Sequence, residues 1–114
     1  MPVIEEYSFG LMVVDGKTYT NDLIIFPERI QPEWWRESGH SLCREDIEEI
    51  LEEKPDVLVI GTGSSGVMDV PPETMKLIRE EGIELVIEPT ARAVDAYNRI
   101  SPLRPTVGAF HLTC

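Results

Sequence analysis

The sequence predicts an α/β fold: a single three-layer domain with a central mixed, mostly parallel sheet, helices on both faces and an N-terminal antiparallel β-hairpin. Three observations predict it. Val57 to Ile60 (VLVI) is a short apolar run reaching glycines and Ile83 to Ile87 (IELVI) a second stretch of buried type, as central strands of a parallel sheet are. They alternate with stretches of helical spacing, and such alternation implies parallel pairing through right-handed crossovers. Finally, a chain of 114 residues, 42% hydrophobic and 27% charged, buries enough surface for one core and not for two. Residues 1–114 are therefore expected to form one domain.

The elements follow in order. Val3 to Phe9 and Leu11 to Val14 are extended, and Asp15-Gly16 lies between MVV and KTYT as a dipeptide that accepts positive φ in a tight hairpin turn. Asn21-Asp22 competes for backbone hydrogen bonds and marks a bend or bulge before LIIF, a run expected to be a fully buried strand that Pro27 stops. Glu28 to His40 has no period at 2 or 3.6 residues and reads as a long connection. Within it Trp34 and Trp35 cannot both enter one core, so one of them is expected to be partly exposed, as an anchor for a partner or a lid over the sheet. From Leu42 the pattern turns helical, with Ile47, Ile50, Leu51 and Lys54 on one face and Glu45, Asp46, Glu48, Glu49, Glu52 and Glu53 on a solvated one, until Pro55. Pro71-Pro72 opens a second helix that ends at Gly82. Thr90 is a candidate N-cap for a third, Ala91 to Ile100, with Val94, Tyr97 and Ile100 at helical spacing. SPLRP breaks it. Thr106 to Leu112 is again extended, with Val107, Ala109 and His111 on one side and Phe110 and Leu112 on the other.

Charge narrows the function. With 21 acidic and 10 basic residues the net charge is −11, which repels nucleic acid and anionic membrane surfaces. The apolar runs are far shorter than the roughly 20 residues of a membrane helix, so no membrane insertion is expected. The beginning, MPVIEEYSF, is acidic where a targeting segment is basic, and the expected location is cytoplasmic. Two cysteines, Cys43 and Cys114, are read as free thiols.

The sharpest motif is Gly61-Thr62-Gly63-Ser64-Ser65-Gly66 after a strand, formally G-x-G-x-x-G, with Glu88 at the end of the next strand. A dinucleotide fingerprint needs its helix to open inside the motif, facing the pyrophosphate. Here Val67 to Val70 and the two prolines postpone the helix, so dinucleotide binding is not expected. A softer reading remains: the loop amides, the hydroxyls of Thr62, Ser64 and Ser65, and Thr90 with Arg92 at the next helix start could line a crevice for a small anion. The other reading is that the glycines only turn the chain and Thr90 only caps. His40-x-x-Cys43 and His111-x-x-Cys114 have zinc-like composition, yet the same residues serve as core or capping groups, and no metal or cofactor is expected. Cys43 beside Arg44 is read as structural or incidental rather than as an activated thiol. No Ser-His-Asp order or nucleophile elbow is present, so no catalytic residue is assigned.

Taken together, Phe9-Gly10, Val14-Asp15-Gly16, Tyr19, Asp22-Leu23-Ile24-Ile25-Phe26-Pro27, Trp35-Arg36, Gly39-His40, Leu42, Pro55, Val59-Ile60-Gly61-Thr62-Gly63, Gly66, Thr90-Ala91, Ala93, Tyr97-Asn98 and His111-Leu112 resemble a known family over nearly the whole chain. This is the small α/β family of unknown function that includes a mitochondrial respiratory complex I assembly factor and an adipogenesis-associated protein. The resemblance implies a single three-layer domain, action through other proteins, and no established catalytic residues. Without a mitochondrial presequence, the chain is expected to be a stand-alone member of prokaryotic type. Two functions follow: a non-catalytic interaction or assembly module acting through a protein partner, or a small-anion or small-metabolite binding protein or enzyme using the crevice at Gly61 to Gly66.

Overall fold

A computed structural model describes residues 2–38 and 40–114. At the N-terminus β1 (Ile4–Ser8), β2 (Leu11–Val14) and β3 (Lys17–Tyr19) form an antiparallel three-stranded sheet in that order. The hairpin expected at Asp15-Gly16 joins β2 to β3, with Val14 opposite Lys17. Both turn residues have positive φ, 49° and 81°, as a two-residue turn matched to the strand twist requires.

The remaining strands, β4 (Leu23–Ile25), β5 (Ile30–Gln31), β6 (Val57–Thr62), β7 (Glu84–Glu88) and β8 (Thr106–His111), form a five-stranded sheet of order β5-β4-β8-β6-β7. β6 runs parallel to β7 and to β8, pairing Val59 with Val86 and with Gly108. β4 runs antiparallel to β8 and β5, pairing Ile24 with Ala109 and with Gln31. The sheet is thus mixed, and its pairings divide evenly instead of being mostly parallel. The reason is that LIIF was legible as doubly buried, and double burial fixes depth in a sheet, not strand direction.

A 3₁₀ turn (Arg44–Ile47) leads into α1 (Glu48–Glu53), which is shorter than its periodicity suggests. Lys54 closes it with a left-handed φ of 53°, and Pro55 after it disfavours continuation of the helix. α2 (Pro72–Glu80) opens at the paired prolines as expected, and Gly82 turns the chain after it. α3 spans Thr90–Ile100, but Thr90 is its first residue and not its N-cap; Pro89 holds the cap position, and the Thr90 hydroxyl is used elsewhere.

Alternate side chains of the large sheet enter two clusters. Ile25, Val57, Val59 and Phe110 pack with Ala93 and Tyr97 of α3 and with Ile4, Met12 and Val14 of the small sheet. Ile24, Leu58, Ile60, Val107 and Ala109 pack with Trp34, with Ile50 of α1 and with Ile78 of α2. Helices therefore cover both faces, the small sheet sharing one of them with α3. Each fully buried Leu, Ile, Val or Phe contributes about 1.5–3 kcal/mol over its exposed state, so these two clusters hold the fold. The Thr106 to Leu112 alternation divides as expected, Val107 and Ala109 to one cluster, Phe110 and Leu112 to the other.

Candidate functional site

The glycine loop lies at the carboxyl end of β6. The structure brings Gly61, Thr62, Gly63 and Thr90 together and leaves Ser64, Ser65, Gly66 and Arg92 exposed. The Thr90 hydroxyl, fully buried, accepts from the Gly63 amide at 2.8 Å and donates to the His111 carbonyl at 2.6 Å. The Thr62 hydroxyl donates to the Glu88 carbonyl at 3.2 Å. The amides of Ser64 and Val67 donate to the carbonyls of Thr113 (2.6 Å) and Cys114 (3.1 Å), and that of Gly66 donates to Gly63 (3.2 Å). Four loop amides thus have acceptors inside the protein, three of them joining the loop to β8's extension or to α3. Gly63 must be glycine: its φ is +108°, and a Cβ there would overlap the Cys114 backbone and the His111 ring. The Arg92 side chain is 79% exposed and lies 4.0 Å from Glu88, a surface pair of little energetic weight.

A second polar centre was not visible in the sequence. Asp22, at the bend before β4, places one carboxylate oxygen 2.7 Å from the Leu112 amide and the other 2.7 Å from both Arg36 Nη2 and His111 Nδ1. Burial pushes the Asp22 carboxyl up, but the Leu112 amide, the His111 ring and the Arg36 guanidinium together outweigh burial and hold it below the usual carboxylate range. An ionised carboxylate only accepts, so His111 Nδ1 donates to it, and the 3.2 Å approach of Arg36 to the same nitrogen is a contact, not a second hydrogen bond. His111 Nε2 is buried and has no hydrogen-bond partner among the described residues, and the His40 ring stands edge-on with centroids 6.1 Å apart. A carboxylate-oriented imidazole is the arrangement of a general base, but this Nε2 is closed off from solvent.

What the cluster does is fasten the long connection. Trp34 is 3% exposed; its amide donates to the Asp22 carbonyl (2.8 Å) and its indole N–H to the Asp46 carbonyl (3.0 Å). Arg36 is held by Asp22 and lies 4.8 Å from the Trp34 ring centre, a buried cation over an aromatic face. With residues 34 and 36 pinned, the intervening Trp35 points outward and is 77% exposed. Beside it is a recess of about 170 Å³ lined by Ile24, Gln31, Trp34, Glu45, Asp46, Glu48 and Glu49. The sequence reading anticipated one buried and one exposed tryptophan, without saying which. It missed Asp22, Arg36 and the His111 side chain, which lie far apart in sequence; the one local signal was a charged residue at a bend entering a buried strand.

The Cys43 amide (2.9 Å) and thiol (3.2 Å) donate to the Asp46 carboxylate, a helix-entry role among those expected. Burial first, then Asp46 and Glu45, push its pKa up, so the thiol is not activated by Arg44. Among the described residues no three of His, Cys, Asp and Glu gather as metal ligands do.

These features define a class: a small α/β domain with an evenly mixed five-stranded sheet, backed on one face by an antiparallel three-stranded one. Residues 4–111 match the model of a family described as protein of unknown function (DUF498/DUF598), and the chain belongs to that family. Its function is accordingly uncharacterised. A conserved hypothetical protein from Pyrococcus horikoshii OT3 is 33% identical, with a TM-score of 0.88 over 97% of this chain and 98% of its own. A Bartonella henselae protein described as an outer membrane protein is 25% identical, with a TM-score of 0.84 over 99% and 96%. A Bordetella pertussis protein described as a Mth938-like domain shares the fold at 17% identity, with a TM-score of 0.70 over 97% and 85%. No helix among the described residues of the present chain is long and apolar enough to cross a membrane.

Proposed function

We propose that this chain is a non-catalytic interaction module, a three-layer domain of the cytoplasm that acts through a protein partner in the assembly-type role its resemblance implies. One observation carries the reading: Trp35 is held in solvent by a frame built on both sides of it. An exposed tryptophan offers more contact area than almost any other side chain, and interface hot spots are enriched in it. Fixing it in advance lowers the ordering cost of binding. The small-anion alternative has less support, because the amides of Gly63, Ser64 and Gly66 already have internal acceptors and Arg92 lies outside the loop. The test is a photo-crosslinking residue placed at Trp35, Phe9, Val67 or Leu103, four of the exposed apolar positions, in the native host. The expected result is one discrete protein adduct from position 35. No adduct from any of the four, together with saturable thermal stabilisation by phosphate that Arg92→Ala abolishes, would favour the anion-binding alternative.

A further inference from the structure

The recess beside Trp35 also says what kind of partner fits. At about 170 Å³ it is well below the roughly 300–1,000 Å³ of small-molecule sites, and it suits one side chain. Its wall is an indole on one side and the acidic entry to α1 on the other. Not all of those carboxylates are available: Asp46 already accepts from the Glu37 and Cys43 amides and the Cys43 thiol, and Glu49 pairs with Arg29 at 3.1 Å. Glu45 and Glu48 are exposed. Of the cations near the recess, Arg29 pairs with Glu49 and Arg36 with Asp22, while Arg44 acts on Glu45 through its charge alone, without an ion pair between them. An aromatic face beside carboxylates, on a chain of net charge −11, complements a planar cation that can stack and form hydrogen bonds at once.

Resting on the reading of Trp35 as the partner-facing residue, we propose that the recess formed by Trp35, Glu45 and Glu48 receives an arginine side chain from a basic segment of the protein partner. The guanidinium stacks on the indole while its edge donates to the carboxylates. Lysine, a compact and strongly hydrated charge without a plane, fits less well.

The experiment titrates the protein with short peptides that present arginine, lysine, glutamine or glutamate at one position in an otherwise neutral sequence, following the anisotropy of a dye on the peptide, which reads the Trp35→Ala variant by the same signal, together with tryptophan fluorescence in the parent. The arginine peptide is expected to give saturable quenching and to bind ahead of lysine, with glutamine and glutamate weaker still. Trp35→Ala should weaken it by roughly 2–30-fold, the range of a cation–π contact. Glu45→Gln with Glu48→Gln should weaken it and flatten its salt dependence. Trp35→Ala leaves the charge unchanged, so equal arginine-peptide binding to that variant would mean nonspecific attraction and would overturn the proposal. So would Trp35-dependent binding in which glutamine equals arginine, although Trp35 would then remain the partner-facing residue. No quenching by any peptide, with a discrete crosslink still formed at position 35, overturns the arginine assignment alone. Absence of both overturns the assignment and the function on which it rests.

Discussion

The β6–β8 pair and the connection from Pro27 to Cys43 are held by different physics. Val57 to Ile60 and Thr106 to Phe110 are buried throughout, paired residue by residue in parallel, and their side chains enter apolar clusters on both faces. Among its described residues the connection has the two-residue strand β5, isolated bridges at Ser38 and Ser41, and a few buried apolar groups. Hydrogen bonds from Trp34, Arg36 and Glu37 to Asp22 and Asp46, with backbone bonds between Asp69 and both His40 and Leu42, fix it. Where apolar contacts are dense, position is over-determined; where a few charged groups hold a segment, each is indispensable. That difference lets the connection present Trp35 to solvent in a defined place.

The comparison breaks most severely in the core. Val59→Asp puts an unpaired charge where the parent residue is fully buried, and should cost several kcal/mol of the roughly 5–15 available, leaving no folded protein. A soluble variant melting within a few degrees of the parent would falsify the central placement of β6. Next, Trp34→Ala removes a buried indole and should cost about 3–5 kcal/mol in urea unfolding; a change below about 1 kcal/mol would mean the connection does not depend on that anchor.

Asp22→Ala leaves the Arg36 guanidinium, 5% exposed, without its carboxylate, and should destabilise by about 3 kcal/mol. The variant should also lose protection of the Leu112 amide in hydrogen exchange. An unchanged urea midpoint would show that the cluster contributes nothing net.

pH separates the two regions. Asp22 has a carboxyl pKa below its ordinary value, so its contribution is present above the unfolded value and is lost as pH falls through the folded one. Asp22→Asn should therefore flatten the acid side of the stability profile. Tyr97, in the core, is pushed up to about 12 by burial, so it favours folding while neutral; that contribution is complete below pH 10 and is lost between about pH 10 and 12. Tyr97→Phe should remove that alkaline loss while leaving the acid side as it was. An acid limb unaltered in Asp22→Asn, or an alkaline limb unaltered in Tyr97→Phe, would remove the assignment concerned. The smallest effect belongs to Trp35→Ala, expected to stay within about 0.5 kcal/mol of the parent in stability, since its side chain is largely in solvent. A larger loss would make Trp35 part of the fold and not a free anchor.

Legibility followed the range of the interactions. VLVI and the Asp15-Gly16 turn were readable because period and turn chemistry are local properties. The start of α2 at Pro71-Pro72 was readable for the same reason. IELVI was readable as a strand, but its expected burial on both faces is corrected by the structure, where β7 lies at the sheet edge and is partly exposed, because position within a sheet is set by pairing and not by the run itself. Thr90 was misplaced by one position because a Thr before a helical stretch looks like a cap, whereas its hydroxyl is claimed across the sheet by Gly63 and His111. The glycine loop was legible as a turn, and its amides could not be known to face the C-terminal residues until those residues were in place.

By itself the sequence determined which segments are extended and which are helical, where the chain turns and that its net charge is acidic, because each of these depends on composition or on residue type and spacing over a few neighbours. Only the tertiary structure decided that β8 inserts between β4 and β6, that β4 runs against it, and that Asp22, Arg36 and His111 meet. Those outcomes depend on pairings between segments far apart along the chain. For the same reason only the fold could say which of two adjacent tryptophans faces solvent: the identity of the exposed one is set by hydrogen bonds to Asp22 and Asp46, not by anything written beside it.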